Sequence, residues 1–143
     1  MNGIILDTNV ISELMRFQPD PLVMGWFARK MALNFYVTAI TQSEILLGVA
    51  LLPAGKRRDA LSDASGKMFR EDFSGNCLPF DESCTALYAS VVAHRRRSGF
   101  TITTEDAQIA AIALSRKLPL ATRNTKDFLH IDGLTLHNPW AEM

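Results

Sequence analysis

Gly3-Ile4-Ile5-Leu6-Asp7-Thr8-Asn9-Val10 is the stretch that decides the class of fold. Its first four residues form a continuous apolar run, the pattern of a strand buried on both faces, as strands of a parallel sheet are. The run stops abruptly at Asp7-Thr8-Asn9. A helical spacing follows, with Val10, Ile11, Leu14 and Met15 on one side. A fully buried strand that passes directly into a helix is the opening of a βα unit.

The same alternation continues along the chain. Pro19-Asp20-Pro21 breaks it, and a second helix carries Val23, Trp26 and Phe27. Phe35–Thr38 reads as a second strand. A third helix opening at Thr41 has Ile45, Leu46, Val49 and Leu52 on one face, and Pro53-Ala54-Gly55 ends it. A more polar helix is expected from Lys56 to Phe73. Leu78-Pro79-Phe80 reads as a short edge strand, because proline cannot donate to a ladder. Asp81 caps a fifth helix that Gly99 ends, and Thr103 or Thr104 begins a sixth. Strands are expected at 118–122 and 134–136, with a short turn or helix at 124–128 between them. Strands alternating with helices imply an α/β fold with a parallel or mostly parallel sheet covered on both faces. No linker, repeat or low-complexity tract interrupts residues 1–143, so a single domain is expected. In such sheets ligands bind at the carboxyl ends of the strands, and the residues that follow each strand are the ones to inspect.

Composition narrows the function. At 143 residues the chain is long enough to bury a core without disulfide staples. Lysine plus arginine equals aspartate plus glutamate, 15 each, so any nucleic-acid role has to rest on local patches rather than net charge. Cys77 and Cys84 lack C-x-x-C spacing and a neighbouring histidine, which argues against zinc and for two reduced cysteines. No uncharged run approaches the roughly 20 residues needed to cross a bilayer. No basic segment with a signal-length apolar stretch opens the chain. A cytoplasmic protein without membrane contact is expected.

Four positions stand where the crevice should be. Asp7 follows the first strand by one residue; a helix N-cap and a crevice acid are equally open readings. Glu44, in Thr41-Gln42-Ser43-Glu44, fits a capping box, yet it also follows the second strand by one short turn. Asp106 lies in the first turn of a helix, where the dipole favours an acid. Its neighbour Glu105 points about 100° away around the helix, so one of the two faces the site. Asn124 follows the strand ending at Thr122 and is open to a turn role or to offering a neutral oxygen, with Asp127 close behind. Converging carboxylates repel one another unless a cation neutralises them, and an oxygen-only set favours magnesium or manganese over zinc.

These stretches resemble a known family. Ile4-Ile5-Leu6-Asp7-Thr8-Asn9-Val10 resembles the opening of PIN-domain ribonucleases. Thr41-x-x-Glu44-x-x-x-Gly48 is similar to that family's second motif, and Asp106-x-x-Ile109-Ala110 to its third. Ala121-Thr122-Arg123-Asn124 with Asp127-Phe128 resembles its fourth. The small size, Leu47–Ala50 and Asn138-Pro139-Trp140 look most like the VapC/FitB branch, the toxin halves of bacterial toxin–antitoxin pairs. The resemblance implies a three-layer α/β/α fold with a mostly parallel central sheet. It implies a Mg2+- or Mn2+-dependent endoribonuclease, working as a homodimer and held inactive by a cognate antitoxin through which operator DNA is bound. Asp7, Glu44 and Asp106 are then the metal-facing acids, with Asn124 where the family often has an aspartate. That departure puts a second metal in doubt. On this reading Asp7 and Asp106 bind the metal and Glu44 completes the cluster or orients the attacking water. In-line attack leaves a 5′-phosphate and a 3′-hydroxyl. Thr8 and Thr122 are candidates to hold water or phosphate, with plain capping or turn roles equally open, and Asn9 is expected to brace the carboxylates.

RNA also needs positive charge. Arg123 is the basic residue nearest the site in sequence. Lys56-Arg57-Arg58 and Arg95-Arg96-Arg97 read as solvated helix faces. Met15, Phe17, Trp26 and Phe27 read as core, or as the wall of a groove for an antitoxin segment. The rival to a nuclease is a catalytically weak PIN-like domain that binds protein or RNA. A phosphatase or DNA nuclease on a similar acidic crevice is a further rival, and a flavodoxin-like signalling domain fits less well.

Overall fold

The computed structural model describes residues 2–141. Five strands form one sheet: β1 (Gly3–Leu6), β2 (Asn34–Thr38), β3 (Cys77–Leu78), β4 (Leu120–Ala121) and β5 (Leu136–His137), in the order β3-β2-β1-β4-β5. Every neighbouring pair is parallel. The chain therefore starts in the middle, builds outward through β2 and β3, then returns to the other side of β1 for β4 and β5. That reversal places a topological switch point between β1 and β4, the position where open α/β sheets form their crevice.

The helices are α1 (Thr8–Leu14), α2 (Pro21–Arg29), α3 (Ala39–Ala50), α4 (Lys56–Lys67), α5 (Glu82–Arg97) and α6 (Thr104–Arg116). Successive residues of β1 point to opposite faces. Ile5 enters a core with Ile109, Ile112, Leu120 and residues of α5 on one face. Ile4 and Leu6 enter a second core with Val10, Ile11, Trp26 and Phe69 on the other. Helix, sheet and helix layers follow, as the apolar run of β1 requires. β1 and β2 approach so closely at Gly3 that a Cβ there would lie 2.9 Å from the Asn34 carbonyl oxygen.

Several boundaries differ from the sequence reading. α3 starts at Ala39, not Thr41, because Thr38 is its N-cap and accepts from the Thr41 amide at 3.1 Å. Leu46 is exposed, so the buried face of α3 is carried by Ile45 and Val49. The polar helix opening at Lys56 is α4, continued by a π-helical turn at Met68–Asp72 that delivers Phe69 and Phe73 to the core. β3 falls at Cys77–Leu78, one residue before the expected strand, so Pro79 lies outside the ladder. Asp81, Gly99 and Thr103 bound their helices as read. Both cysteines are free.

Candidate acidic active site at the sheet switch point

Asp7 stands at the carboxyl end of the central strand, where it caps α1 and faces Thr122 and Asn9. Its backbone N–H donates to the Ala121 carbonyl at 2.9 Å, extending the β1–β4 pairing past the strand. Its Oδ1 caps α1 by accepting from the Thr8 amide at 2.8 Å. Its Oδ2 accepts from Thr122 Oγ1 at 2.7 Å and Asn9 Nδ2 at 3.3 Å. The side chain is 5% exposed. Burial pushes its pKa above the ordinary carboxylate value, the three hydrogen bonds pull it back, and the charge of Asp127 pushes it up again.

Thr122 is the hub behind Asp7. Its hydroxyl donates to Asp7 and accepts from Asn9 Nδ2 at 3.2 Å and the Asn124 amide at 3.1 Å. One donor and two acceptor sites are all that a hydroxyl has, so this fully buried group is saturated and rigid. Asn9 spends its amide on Asp7 and Thr122, and its Oδ1 accepts from the Arg123 backbone N–H at 3.1 Å. It braces the site, as expected.

Glu44 is released from the capping role that its sequence suggested, because Thr38 performs it. Instead Glu44 Oε1 accepts from Thr8 Oγ1 at 2.8 Å. Thr8 Oγ1 also lies 3.0 Å from the buried Thr41 hydroxyl. With the Thr8 proton committed to the carboxylate, Thr41 is the donor of that second bond. Burial raises the Glu44 pKa, against the Thr8 bond, and Asp7 and Glu105 add repulsion.

Asp106 lies in the first turn of α6, whose cap Thr103 accepts from the Asp106 amide at 3.1 Å. It is half-buried and its pKa is raised to about 6, first by burial and then by the charges of Asp7, Asp127 and Glu44. The acids separated in sequence thus feel one another across the crevice. Asn124 is exposed and reaches the cluster through its backbone N–H, whereas the charge acting on Asp7 and Asp106 from this segment belongs to Asp127. Asp127 and Asp106 line a common cavity of about 220 Å3 with Thr101, Ile102 and Thr103. Arg123 is exposed and holds its guanidinium 5.0 Å from the Trp140 ring centroid.

The donor set is carboxylate and hydroxyl oxygen throughout, which suits a hard divalent cation. Among the described residues no three acids converge tightly enough to cage an ion by themselves.

A second cavity, about 830 Å3, opens beside the acids and shares Thr8 and Glu44 with them. Met15, Phe17, Val49 and Leu52 give it apolar walls, and Arg16 and Arg57 stand in its lining. Trp26, by contrast, is fully buried core. Of the basic runs, Lys56 and Arg57 are exposed as expected. Arg95 is not: it is 3% exposed, a correction to the solvated reading of Arg95–Arg97.

The family model described as PIN domain matches residues 4–134. The chain belongs to the PIN-domain family. This PIN domain is 42% identical to plasmid stability protein StbB of Pseudomonas syringae pv. tomato, over 96% of the chain and 98% of the relative. It is 40% identical to toxin FitB of Neisseria gonorrhoeae (96% and 98% covered). It is 39% identical to VapC ribonuclease Y4jK of Sinorhizobium fredii (96% and 97% covered). Among solved structures, FitAB bound to an IR36 DNA fragment contains a chain that superposes with a TM-score of 0.88 at 38% identity, covering 98% of this PIN domain and 97% of that chain. No described helix of this PIN domain is long and apolar enough to cross a membrane.

Proposed function

We propose that this PIN domain is a Mg2+- or Mn2+-dependent endoribonuclease, the toxin of a toxin–antitoxin pair. It acts in the cytoplasm as a single domain in a homodimer. The observation that carries the reading is the approach of acids from separate elements, Asp7 at the end of β1, Glu44 in α3 and Asp106 in the first turn of α6, with their protonation raised by burial and mutual charge. Such a cluster is costly for the apo protein and is relieved by a cation. The relatives named ribonuclease and toxin support the same reading.

Asp7 and Asp106 are the residues proposed to hold the ion, and Asp127 to add charge on the side where Asn124 has none. When bound, the ion supplies Lewis-acid polarisation of the phosphate and counter-charge for the carboxylates. Thr122 and Asn9 hold Asp7 in one rotamer. Thr8 fixes one oxygen of Glu44 and leaves the other to orient a water for in-line attack on phosphorus, with the 3′-oxygen leaving. Arg123 offers an RNA phosphate its cation. The binding-module alternative rested on Asn124; the Asp127 charge beside Asp106 and Asp7 favours the nuclease.

The apolar cavity next to Glu44 is the proposed seat of the antitoxin, whose DNA-binding part would carry the complex to its operator. A segment seated there would lie against Thr8 and Glu44, so inhibition follows from occupancy. The test is a substrate comparison with antitoxin-free protein: one sequence as RNA and as single-stranded DNA, and a small phosphomonoester, each with Mn2+ or EDTA. The proposal expects cleavage of the RNA alone, with Mn2+ alone. Equal DNA cleavage or turnover of the monoester would replace it with one of the rival activities.

A further inference from the structure

Arg95 is the basic residue whose surroundings its sequence least suggests. It lies in the last turn of α5, buried, and its planar guanidinium joins two separate segments. Nη1 donates to the Leu129 carbonyl at 2.6 Å and Nη2 to the Thr101 carbonyl at 2.7 Å. Thr101 stands two residues before Thr103, the cap of the helix that carries Asp106. Leu129 stands two residues after Asp127. Thr101, Asp106 and Asp127 line the same cavity.

The backbone of Arg95 fastens the first segment as well. Gly99, at φ 81°, lets the chain reverse, and the Phe100 amide donates to the Arg95 carbonyl at 2.9 Å, with Gly99 donating to Arg96 at 3.1 Å. This is a Schellman closure of α5. The Phe100 ring then packs between the Arg95 guanidinium, 5.2 Å away, and the His130 ring, 5.1 Å away.

We infer that Arg95 is a positioning residue that fixes Asp106 and Asp127 relative to each other by tying their two segments to one guanidinium. The inference rests on the nuclease reading, in which both acids serve the ion. A guanidinium fixes two diverging donors in one plane, whereas an ammonium is a point donor on a flexible stem, so lysine cannot reproduce the tie. Partners that orient ligating groups from behind change metal affinity by about 10–100-fold when removed.

The test uses the full chain with Arg95→Met, Arg95→Lys and, as a matched destabilised control on a distant helix, Val23→Ala. Three quantities are read: unfolding stability, amide exchange, and Mn2+ affinity by electron spin resonance. In the Arg95 variants, exchange should rise together at 103–106 and 126–129, and Mn2+ affinity should fall about tenfold. Val23→Ala should lose stability while keeping Mn2+ affinity within about twofold. Arg95→Lys, which keeps the charge, serves if Arg95→Met does not fold. Wild-type exchange and Mn2+ affinity in a folded Arg95 variant would overturn the inference and leave the nuclease reading standing. A wild-type protein that binds no Mn2+ would sink the nuclease reading and the inference with it.

Discussion

Replacing Asp106 with asparagine should make the metal-free protein more stable while removing its activity. The Asp106 pKa is raised from 3.8 to about 6. A raised acid holds its proton more tightly when folded, so its contribution is fully present below the unfolded value and is lost as pH rises from about 4 to about 6. At about 1.4 kcal/mol per pH unit the shift sets a ceiling near 3 kcal/mol of destabilisation at neutral pH. The side chain is only half-buried, and solvent screening reduces that figure to roughly 1.5 kcal/mol. Losing an acid from the first turn of α6 gives back about 0.5 kcal/mol through the helix dipole. The net expectation is a gain of about 1 kcal/mol for Asp106→Asn at pH 7.5 in EDTA, shrinking towards zero as pH approaches 4. Urea unfolding at several pH values measures it. Millimolar Mg2+ should then stabilise wild type more than the variant, because binding to the native state adds stability. A variant no more stable than wild type at pH 7.5, or a gain that does not change with pH, would refute the claim that Asp106 sits in a repelling, desolvated cluster.

Other expectations follow from the same geometry. Thr122→Val keeps the volume but strips the saturated hydroxyl; urea unfolding should show a loss of about 1–3 kcal/mol. The Asp7 pKa should rise further without that bond, moving the acid limb of the cleavage profile to higher pH. Asp127→Asn should raise the Mn2+ concentration needed for half-maximal cleavage by about tenfold, and Asn124→Ala should change it far less, since the charge in this segment is at Asp127. Phe17, 99% exposed at the mouth of the apolar cavity, is expected to anchor the antitoxin. Phe17→Ala should weaken antitoxin binding, read by calorimetry, by about 2 kcal/mol or more while RNA cleavage persists.

The sequence was most legible where one residue type had few ways to be satisfied. The uninterrupted run of β1 required cover on both faces, and it placed Asp7 at the carboxyl end of the central strand, with its cap and crevice readings both open. Glu44 was harder to read because Thr41-x-x-Glu44 mimics a cap; the true cap, Thr38, is the last residue of β2, and no periodicity separates a strand end from a helix start by one residue. Asp127 was overshadowed by Asn124, which occupies the motif position. A 3-10 turn repeats every three residues, so Thr125–Phe128 returns residue 127 to the side that residue 124 leaves. Arg95 was hidden in a run of three arginines. Its burial depends on carbonyls at 101 and 129, which only the tertiary fold brings to it. β4 and β5, two residues each, are set by pairing rather than by pattern: the span expected at 118–122 ran long against Leu120–Ala121, and the one expected at 134–136 lay too early against Leu136–His137.

The most direct measurement of the central claim is the fate of 5′-end-labelled tRNA, rRNA and mRNA incubated with antitoxin-free protein, wild type beside Asp7→Asn, with Mg2+, Mn2+ or EDTA. The account expects metal-dependent cuts leaving 3′-hydroxyl ends on the labelled fragments, absent with EDTA and absent in Asp7→Asn. Intact RNA from folded, metal-loaded wild type, or equal cutting by Asp7→Asn, would contradict it.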